Sequence, residues 1–484
     1  MNYKMIFYTI GQVLLLEAAI LFVPLIVSLL YFEWWSAIAF GIVAVIAFAF
    51  GFLFTMCLKK HSHLIFAKEG LIIVALAWIV VSVIGALPFV IDGCIPSYVD
   101  ALFETVSGFT TTGATILREV GGAMGYGMFF WRSFTHWIGG MGVLVFIMAI
   151  VSRSPDRSMN ILKAEMPGPM VDKLVPRTRD TAKILYLIYI GLTALLIILL
   201  ICGGMPVYDS VVHAFGTAGT GGFGIKSDSI ASYNHYLQWV IAIFMVLFGI
   251  NFNVFYLILI RKFRLAFGSK ELWTYLSILL VSVALVSYSI YPIYNNISDV
   301  IRHAFFHTAS VMSTTGYTID AFTEWAAPLA KAVLTMLMFI GACAGSTAGG
   351  IKVTRVMILF KKAINEFRRT LHPRRATVVK FEGKRIDEET LNGVGSYLAI
   401  YVLSFIVIIL LISFESSFSF ESNFTAAASC FNNIGPFYGN AVANGSFANY
   451  SAFSKIVLTF AMLLGRLEIY PMLLTFNPYT WIKK

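Results

Sequence analysis
Four short stretches of this sequence place glycine among hydroxyl, amide or small residues in one order. They are Thr110-Thr111-Thr112-Gly113-Ala114-Thr115, Gly219-Thr220-Gly221-Gly222-Phe223-Gly224, Ser313-Thr314-Thr315-Gly316-Tyr317-Thr318 and Asn432-Asn433-Ile434-Gly435-Pro436-Phe437. One glycine aligns in all four, at Gly113, Gly222, Gly316 and Gly435. Backbone carbonyls with neighbouring hydroxyls suit a hard monovalent cation, because a ring of carbonyls from four glycine-containing loops can replace the hydration shell of potassium. Glycine fits there because it tolerates dihedrals that point successive carbonyls one way, and because it leaves no side chain in the ion path.

The register extends upstream of the glycine. Six residues before it stand Ser107, Gly216, Ser310 and Ser429, nine before it Glu104, His213, His307 and Ala426, and thirteen before it, in two repeats, Asp100 and Asp209. A single glycine turn in a membrane helix is ordinarily a break or a close-packing site. Four in register argue for an internal repeat. The fourth turn, Asn433-Ile434-Gly435-Pro436, has no hydroxyl and a rigid residue after its glycine, so the set is expected to discriminate less strictly than a fourfold-symmetric one.

These turns need scaffolding inside a bilayer. Of the 484 residues 58% are hydrophobic and only 12% charged, far from the usage of soluble domains. Apolar stretches of roughly 20 residues, enough to span a bilayer, recur along the chain. Two opening spans precede four units of span, short helix-like segment, glycine turn and span. The spans are placed at Gly70–Val90 and Gly127–Val151, Ala182–Gly203 and Leu237–Ile260, Leu272–Tyr291 and Trp325–Lys362, and Tyr397–Phe414 and Ser454–Phe476. With the opening pair this gives ten crossings in an all-α polytopic membrane protein. Its units are 1–69 (two N-terminal transmembrane helices), 70–152 (repeat 1), 153–264 (a cytoplasmic loop and repeat 2), 265–385 (repeat 3 with a broken second span and a basic loop) and 386–484 (repeat 4). Because exposed backbone polar groups are costly at membrane depth, the four turns are expected to face one another around a central pore.

The net charge of +10 is a matter of placement. Of the 35 Lys and Arg residues, 25 fall in segments 58–69, 152–183, 261–270 and 352–385, whereas the alternate connections hold only Arg118, Lys226 and Arg302. The positive-inside rule makes the crowded side, with both termini, cytoplasmic. This accounts for the basicity through lipid topology, and no nucleic-acid partner is expected. The first apolar stretch is read as a retained helix because it is long, lacks a small-residue cleavage site and runs straight into another span. Cys57, Cys94, Cys202, Cys343 and Cys430 stand singly, without metal or redox spacing, and read as packing residues. There is no His-Glu-x-x-His helix, no Gly-x-Ser-x-Gly elbow and no phosphate-binding glycine loop. The chain is therefore not expected to be an enzyme or to bind a nucleotide itself.

Together with Trp131-Arg132-Ser133-Phe134-Thr135-His136-Trp137-Ile138-Gly139-Gly140-Met141-Gly142, Gly345-Ser346-Thr347-Ala348-Gly349-Gly350-Ile351-Lys352 and Gly465-Arg466-Leu467-Glu468, the four turns resemble the Trk/Ktr/HKT superfamily of cation transporters. The two extra opening helices favour its TrkH-type membrane subunit. The resemblance covers almost the whole chain. It implies potassium uptake across the cytoplasmic (inner) membrane, with potassium as the transported ion and one pore in each subunit of a homodimer. The filter would comprise Thr111, Thr112, Gly113, Thr220, Gly221, Gly222, Thr314, Thr315, Gly316, Asn433, Ile434 and Gly435. It also implies a cytoplasmic TrkA-type ring of nucleotide-binding domains docked on the basic loops. Glycine at all four ring positions, where serine at the first accompanies sodium transport in the family, favours potassium. The alternative is a proton- or sodium-coupled potassium symporter, or a less selective potassium/sodium channel of the same fold.

Two features bear on gating. Trp325–Lys362 is longer than one crossing and carries Gly341, Gly345, Gly349 and Gly350. Glycine costs roughly 1 kcal/mol relative to alanine inside a helix, so a break is expected. The resemblance implies that the break is a gating loop under the filter, the alternative being a tight helix crossing. Arg466 sits in the last apolar span, where an arginine costs about 2.5–3.5 kcal/mol, and Glu468, two residues on, does not share its face. The resemblance points Arg466 into the pore against cation passage, and a structural ion pair is the other reading. Asp100, Glu104 and Asp209 could focus cations at the outer mouth or cap and solvate the short helices. The matching places of His213 and His307 point to packing.

Overall fold
Backbone groups inside a bilayer find partners only within the protein, and this chain meets that demand with helices nearly throughout. The computed structural model describes residues 1–58, 67–122, 124–142, 178–294, 296–322, 325–372, 378–382, 384–438 and 446–482. Most of the connection 152–180, the end of the first repeat's second span and the last two lysines lie outside them.

Among the described residues six helices are continuous, apolar and long enough to cross a membrane: Tyr3–Leu30, Trp34–Cys57, Lys68–Asp92, Lys183–Cys202, Lys270–Ile290 and Glu388–Ile412. They are the opening pair and the first, outer span of every repeat. The opening helices cross at glycines, where a Cβ on Gly51 would lie 2.9 Å from the carbonyl oxygen of Gly11. The pair then docks on the first repeat through Glu33, whose carboxylate accepts from the amides of Tyr126 (2.6 Å) and Gly127 (2.9 Å). A carboxylate at a helix N-terminus is favourable. The opening pair covers the first repeat most fully: the apolar window of Lys68–Asp92 is 61% buried, against 28% for Lys270–Ile290 and Glu388–Ile412.

Each repeat continues with a half-length helix, Tyr98–Phe109, Val207–Ala218, Ile297–Met312 and Phe420–Asn432. Ser97, Asn296 and Ser419 cap three of these with side-chain oxygens, and Pro206 precedes the fourth.

Two of the second, inner spans depart from the expected uninterrupted crossings. Leu237–Ile260 divides into His235–Phe248 and Phe252–Leu259, bent by 93°. Asn251 at the break caps the second piece. Ser454–Phe476 divides into Ala452–Arg466 and Tyr470–Phe476. Glu468 and Ile469 are left-handed there, and Pro471 cannot continue the preceding helix. In the third repeat Pro328–Leu337 and Val353–Leu371 flank the expected glycine break. In the first, Tyr126–Gly140 runs to Met141 and Gly142, the latter at φ 80°.

A two-residue ribbon, Lys380–Phe381 with Lys384–Arg385, is the sheet among the described residues. Phe381, Val379 and Ile386 form a small satellite core with Ile358 and Val394. Cys343 and Cys430 are buried as expected of packing residues, but Cys57 and Cys202 are exposed at helix ends.

Candidate ion-binding site
The half helices all finish in the same way. The carbonyls of Ser107, Gly216, Ser310 and Ser429 accept from the amides of Thr112 (2.9 Å), Gly221 (2.8 Å), Thr315 (2.9 Å) and Ile434 (2.9 Å). The small residue found six places before each glycine is thus where the turn ties back onto its helix. Space is short there: a Cβ on Gly216 would meet the Tyr317 hydroxyl at 2.3 Å, and Ser310 donates to the Tyr317 carbonyl at 2.6 Å.

Thr111, Thr220, Thr314 and Asn433 are left-handed, at φ 55°, 54°, 57° and 58°, and Gly113, Gly222, Gly316 and Gly435 are at φ 78°, 76°, 84° and 104°. Thr112, Gly221, Thr315 and Ile434 between them are not among the positive-φ residues. Such alternation turns successive carbonyls to one side of the chain. The helix C-termini converge on these carbonyls and add the negative ends of their dipoles.

The four turns close into a ring. A Cβ on Gly113 would lie 2.0 Å from the carbonyl oxygen of Gly221, on Gly222 2.0 Å from that of Thr315, on Gly316 2.0 Å from that of Ile434, and on Gly435 2.7 Å from that of Thr112. Each glycine backs onto the next repeat, so the absent side chains would strike a neighbouring turn. This amends the expectation that they would enter the ion path. The divergent fourth turn contributes Asn433, whose amide donates to the Thr112 hydroxyl at 2.9 Å and to the Met462 carbonyl at 3.0 Å.

The broken inner helices meet next to the ring. Gly341, Gly345, Gly349 and Gly350 fall in a single loop closed by a parallel bridge between Ile340 and Ile351. The amide of Gly349 donates to the Thr314 hydroxyl at 2.7 Å, and a Cβ on Gly349 would be 2.5 Å from the Asn432 carbonyl oxygen. Arg466 crosses beside this loop. Its guanidinium donates to the carbonyls of Thr347 (2.7 Å), Gly139 (2.5 Å) and Gly140 (3.0 Å), linking the breaks of repeats 4 and 3 to the end of Tyr126–Gly140 in repeat 1. Helix ends with unspent carbonyls thus receive a half-buried cation. Glu468 turns elsewhere and pairs with Arg355.

Several residues were not singled out from the sequence. Glu271, buried at the start of its helix, accepts from the Ala344 amide at 2.7 Å and from the Thr354 hydroxyl, and so anchors both ends of the glycine loop. Lys352 donates to the carbonyls of Ala348 and Gly349. An acidic residue in a first helical turn reads as a dipole partner, so nothing in the pattern set Glu271 apart. The outer carboxylates are held by neighbours. Glu104 is buried against Arg132 at 2.5 Å and accepts from Thr115 and Ile116, Asp100 pairs with Lys455 at 2.7 Å, and Asp209 accepts from the Tyr233 hydroxyl at 2.8 Å. His213 packs on Tyr233 and Tyr317.

A family model described as TrkH, cation transport protein, matches residues 36–481. The chain belongs to the TrkH family. As a TrkH-family member it is a multi-pass membrane protein of a family of transporters rather than of enzymes. It is 33% identical over 99% of its length to the Trk system potassium uptake protein TrkH of Salmonella typhimurium, all of which is covered. It is 34% identical over 95% of its length to the Trk system potassium uptake protein TrkG of Escherichia coli K12, covering 94% of that protein. The crystal structure of the potassium transporter TrkH from Vibrio parahaemolyticus superposes with a TM-score of 0.89 at 28% identity, each chain covered completely.

Proposed function
We propose that this chain is the ion-translocating subunit of a Trk-type system and takes up potassium across the cytoplasmic membrane, both termini facing the cytoplasm. The observation that carries the reading is the closed ring, in which each of the four aligned glycines backs onto the carbonyl ahead of the next. A dehydrated potassium ion at its centre exchanges water for carbonyl oxygens held at fixed spacing. The glycine loop hung from Thr314 and the guanidinium of Arg466 on three carbonyls close the path beneath the ring, and the positive charge opposes cations there. Opening requires both to withdraw. The proposed partners are a second copy of the chain and a cytoplasmic nucleotide-binding ring on the basic loops, which would carry the nucleotide.

Rubidium uptake into liposomes holding the purified chain, with sodium as competitor, tests this. The native chain is expected to conduct, Gly316→Ser to lose potassium preference and Arg466→Ala to run faster. Flux that is absent, or indifferent to Gly316, rejects the ring as the selective element.

A further inference from the structure
We propose that His303, His307 and Asp320 form a binding site for a divalent transition-metal ion of the zinc type, behind the third turn of the ring. His303 and His307 lie four apart on the helix Ile297–Met312 and so share a face. Asp320, four residues after Gly316, returns across that face. His303 Nδ1 is 2.8 Å from Asp320 Oδ2, and His307 Nε2 is 2.8 Å from Asp320 Oδ1. One ligand atom from each residue lies within 4.8 Å of the other two. Tetrahedral zinc, with bonds of about 2.0–2.1 Å, needs ligand atoms roughly 3.3 Å apart, so side-chain adjustment suffices. Two imidazoles and a carboxylate suit zinc and its transition-metal neighbours better than calcium or magnesium.

A second observation points the same way. The His307 side chain is fully buried, yet its Nε2 and Asp320 Oδ1 approach without the alignment of a hydrogen bond, and its Nδ1 has no partner among the described residues. Asp320 has outer-sphere support from the Tyr294 hydroxyl and from Trp325 Nε1 at 3.2 Å, the kind of contact that orients a metal ligand. Its side chain keeps 21% of its accessible surface, which leaves an entry. Two contacts compete for His303, of which the first is the Tyr294 hydroxyl, 3.2 Å from its Nδ1, which keeps Asp320 as a partner when that nitrogen binds metal. In the second, Arg302 reaches His303 Nε2 at 3.3 Å, the nitrogen that would carry the proton once Nδ1 is metal-bound. Arg302 also holds Asp299 at 2.8 Å and retains that partner when it lets His303 go.

The test is calorimetric titration of the untagged, metal-stripped chain in nanodiscs with zinc chloride, checked by competition with a fluorescent chelator. One saturable site per chain is expected, weakened at least tenfold by His303→Gln and by Asp320→Asn, and tightened by Arg302→Gln. Zinc should also raise the thermal midpoint of the native chain and not that of Asp320→Asn. Asp320→Asn changes a partly accessible side chain, so the comparison does not depend on replacing the core residue His307. No saturable site, or one indifferent to His303→Gln, Asp320→Asn and Arg302→Gln, overturns the proposal. Binding is read directly, so the outcome is independent of the transport reading.

Discussion

The side-chain amide of Asn433 donates to the hydroxyl of Thr112 at 2.9 Å, joining the last repeat to the first. In a ring built from one chain, these are the repeats furthest apart in sequence. Asn433 is also left-handed, at φ 58°, a conformation that asparagine accepts more readily than most residues. Asn433→Ala removes the donor and adds roughly 1–2 kcal/mol of backbone strain. Its expected phenotype is a folded protein whose rubidium uptake is more readily inhibited by sodium. Thr112→Val should shift the same competition curve less, since Asn433 keeps the Met462 carbonyl.

The glycine contacts rank the ring positions. Alanine at Gly113, Gly222 or Gly316 brings a Cβ to 2.0 Å from a neighbouring carbonyl oxygen, whereas at Gly435 the distance is 2.7 Å. All four are overlaps, and the fourth requires the smallest displacement. In competition assays Gly435→Ala should retain the most potassium preference. Equal losses at all four positions would mean that the backbone dihedrals, rather than the contacts between turns, set the requirement.

Glu271 provides a test of the proposed gate that leaves the ring untouched. Replacing it with alanine strands the Ala344 amide and the Thr354 hydroxyl, and a buried donor without a partner costs about 1–3 kcal/mol. If the glycine loop holds the path closed, Glu271→Ala should raise basal flux without the regulatory partner by about tenfold, or ~1.4 kcal/mol. Glu271→Gln, which keeps an acceptor oxygen, should fall between. Unchanged basal flux in both variants would remove the loop from gating.

The Glu104–Arg132 pair carries a stability prediction. Both side chains are buried, at 0% and 2% exposure, with 2.5 Å between them. Breaking a buried pair by removing one partner costs about 3–5 kcal/mol. Glu104→Gln should lower the thermal midpoint in detergent by several degrees. A Glu104→Gln, Arg132→Met double variant should recover part of that loss, because it leaves no lone buried charge.

Much of the site was legible in the sequence because it repeats. The glycine register, the small residue six places earlier and the break at Gly341–Gly350 are local patterns, and the structure gathers them where the repeats imply. What escaped depends on partners distant in the chain. Glu271 and Ala344 lie 73 residues apart, and no periodicity marks such a pair. Glu104 and Asp100 were legible as carboxylates near a mouth, but their engagement by Arg132 and Lys455 depends on helix packing. The breaks at Gly249–Asn251 and Leu467–Ile469 were hidden because apolar residues continue across them, so hydropathy reads one span where the backbone bends.

The outer spans and half helices repeat closely, but among the described residues three inner spans break in three different ways: at a 93° bend, at a long glycine loop and at two left-handed residues. The approach to the ring therefore has near-fourfold geometry on one side only. A symmetric blocker such as a tetraalkylammonium ion, whose four arms suit a fourfold vestibule, would find no matching receptor on the side of the breaks. Pharmacology from the two faces of the membrane is expected to differ accordingly.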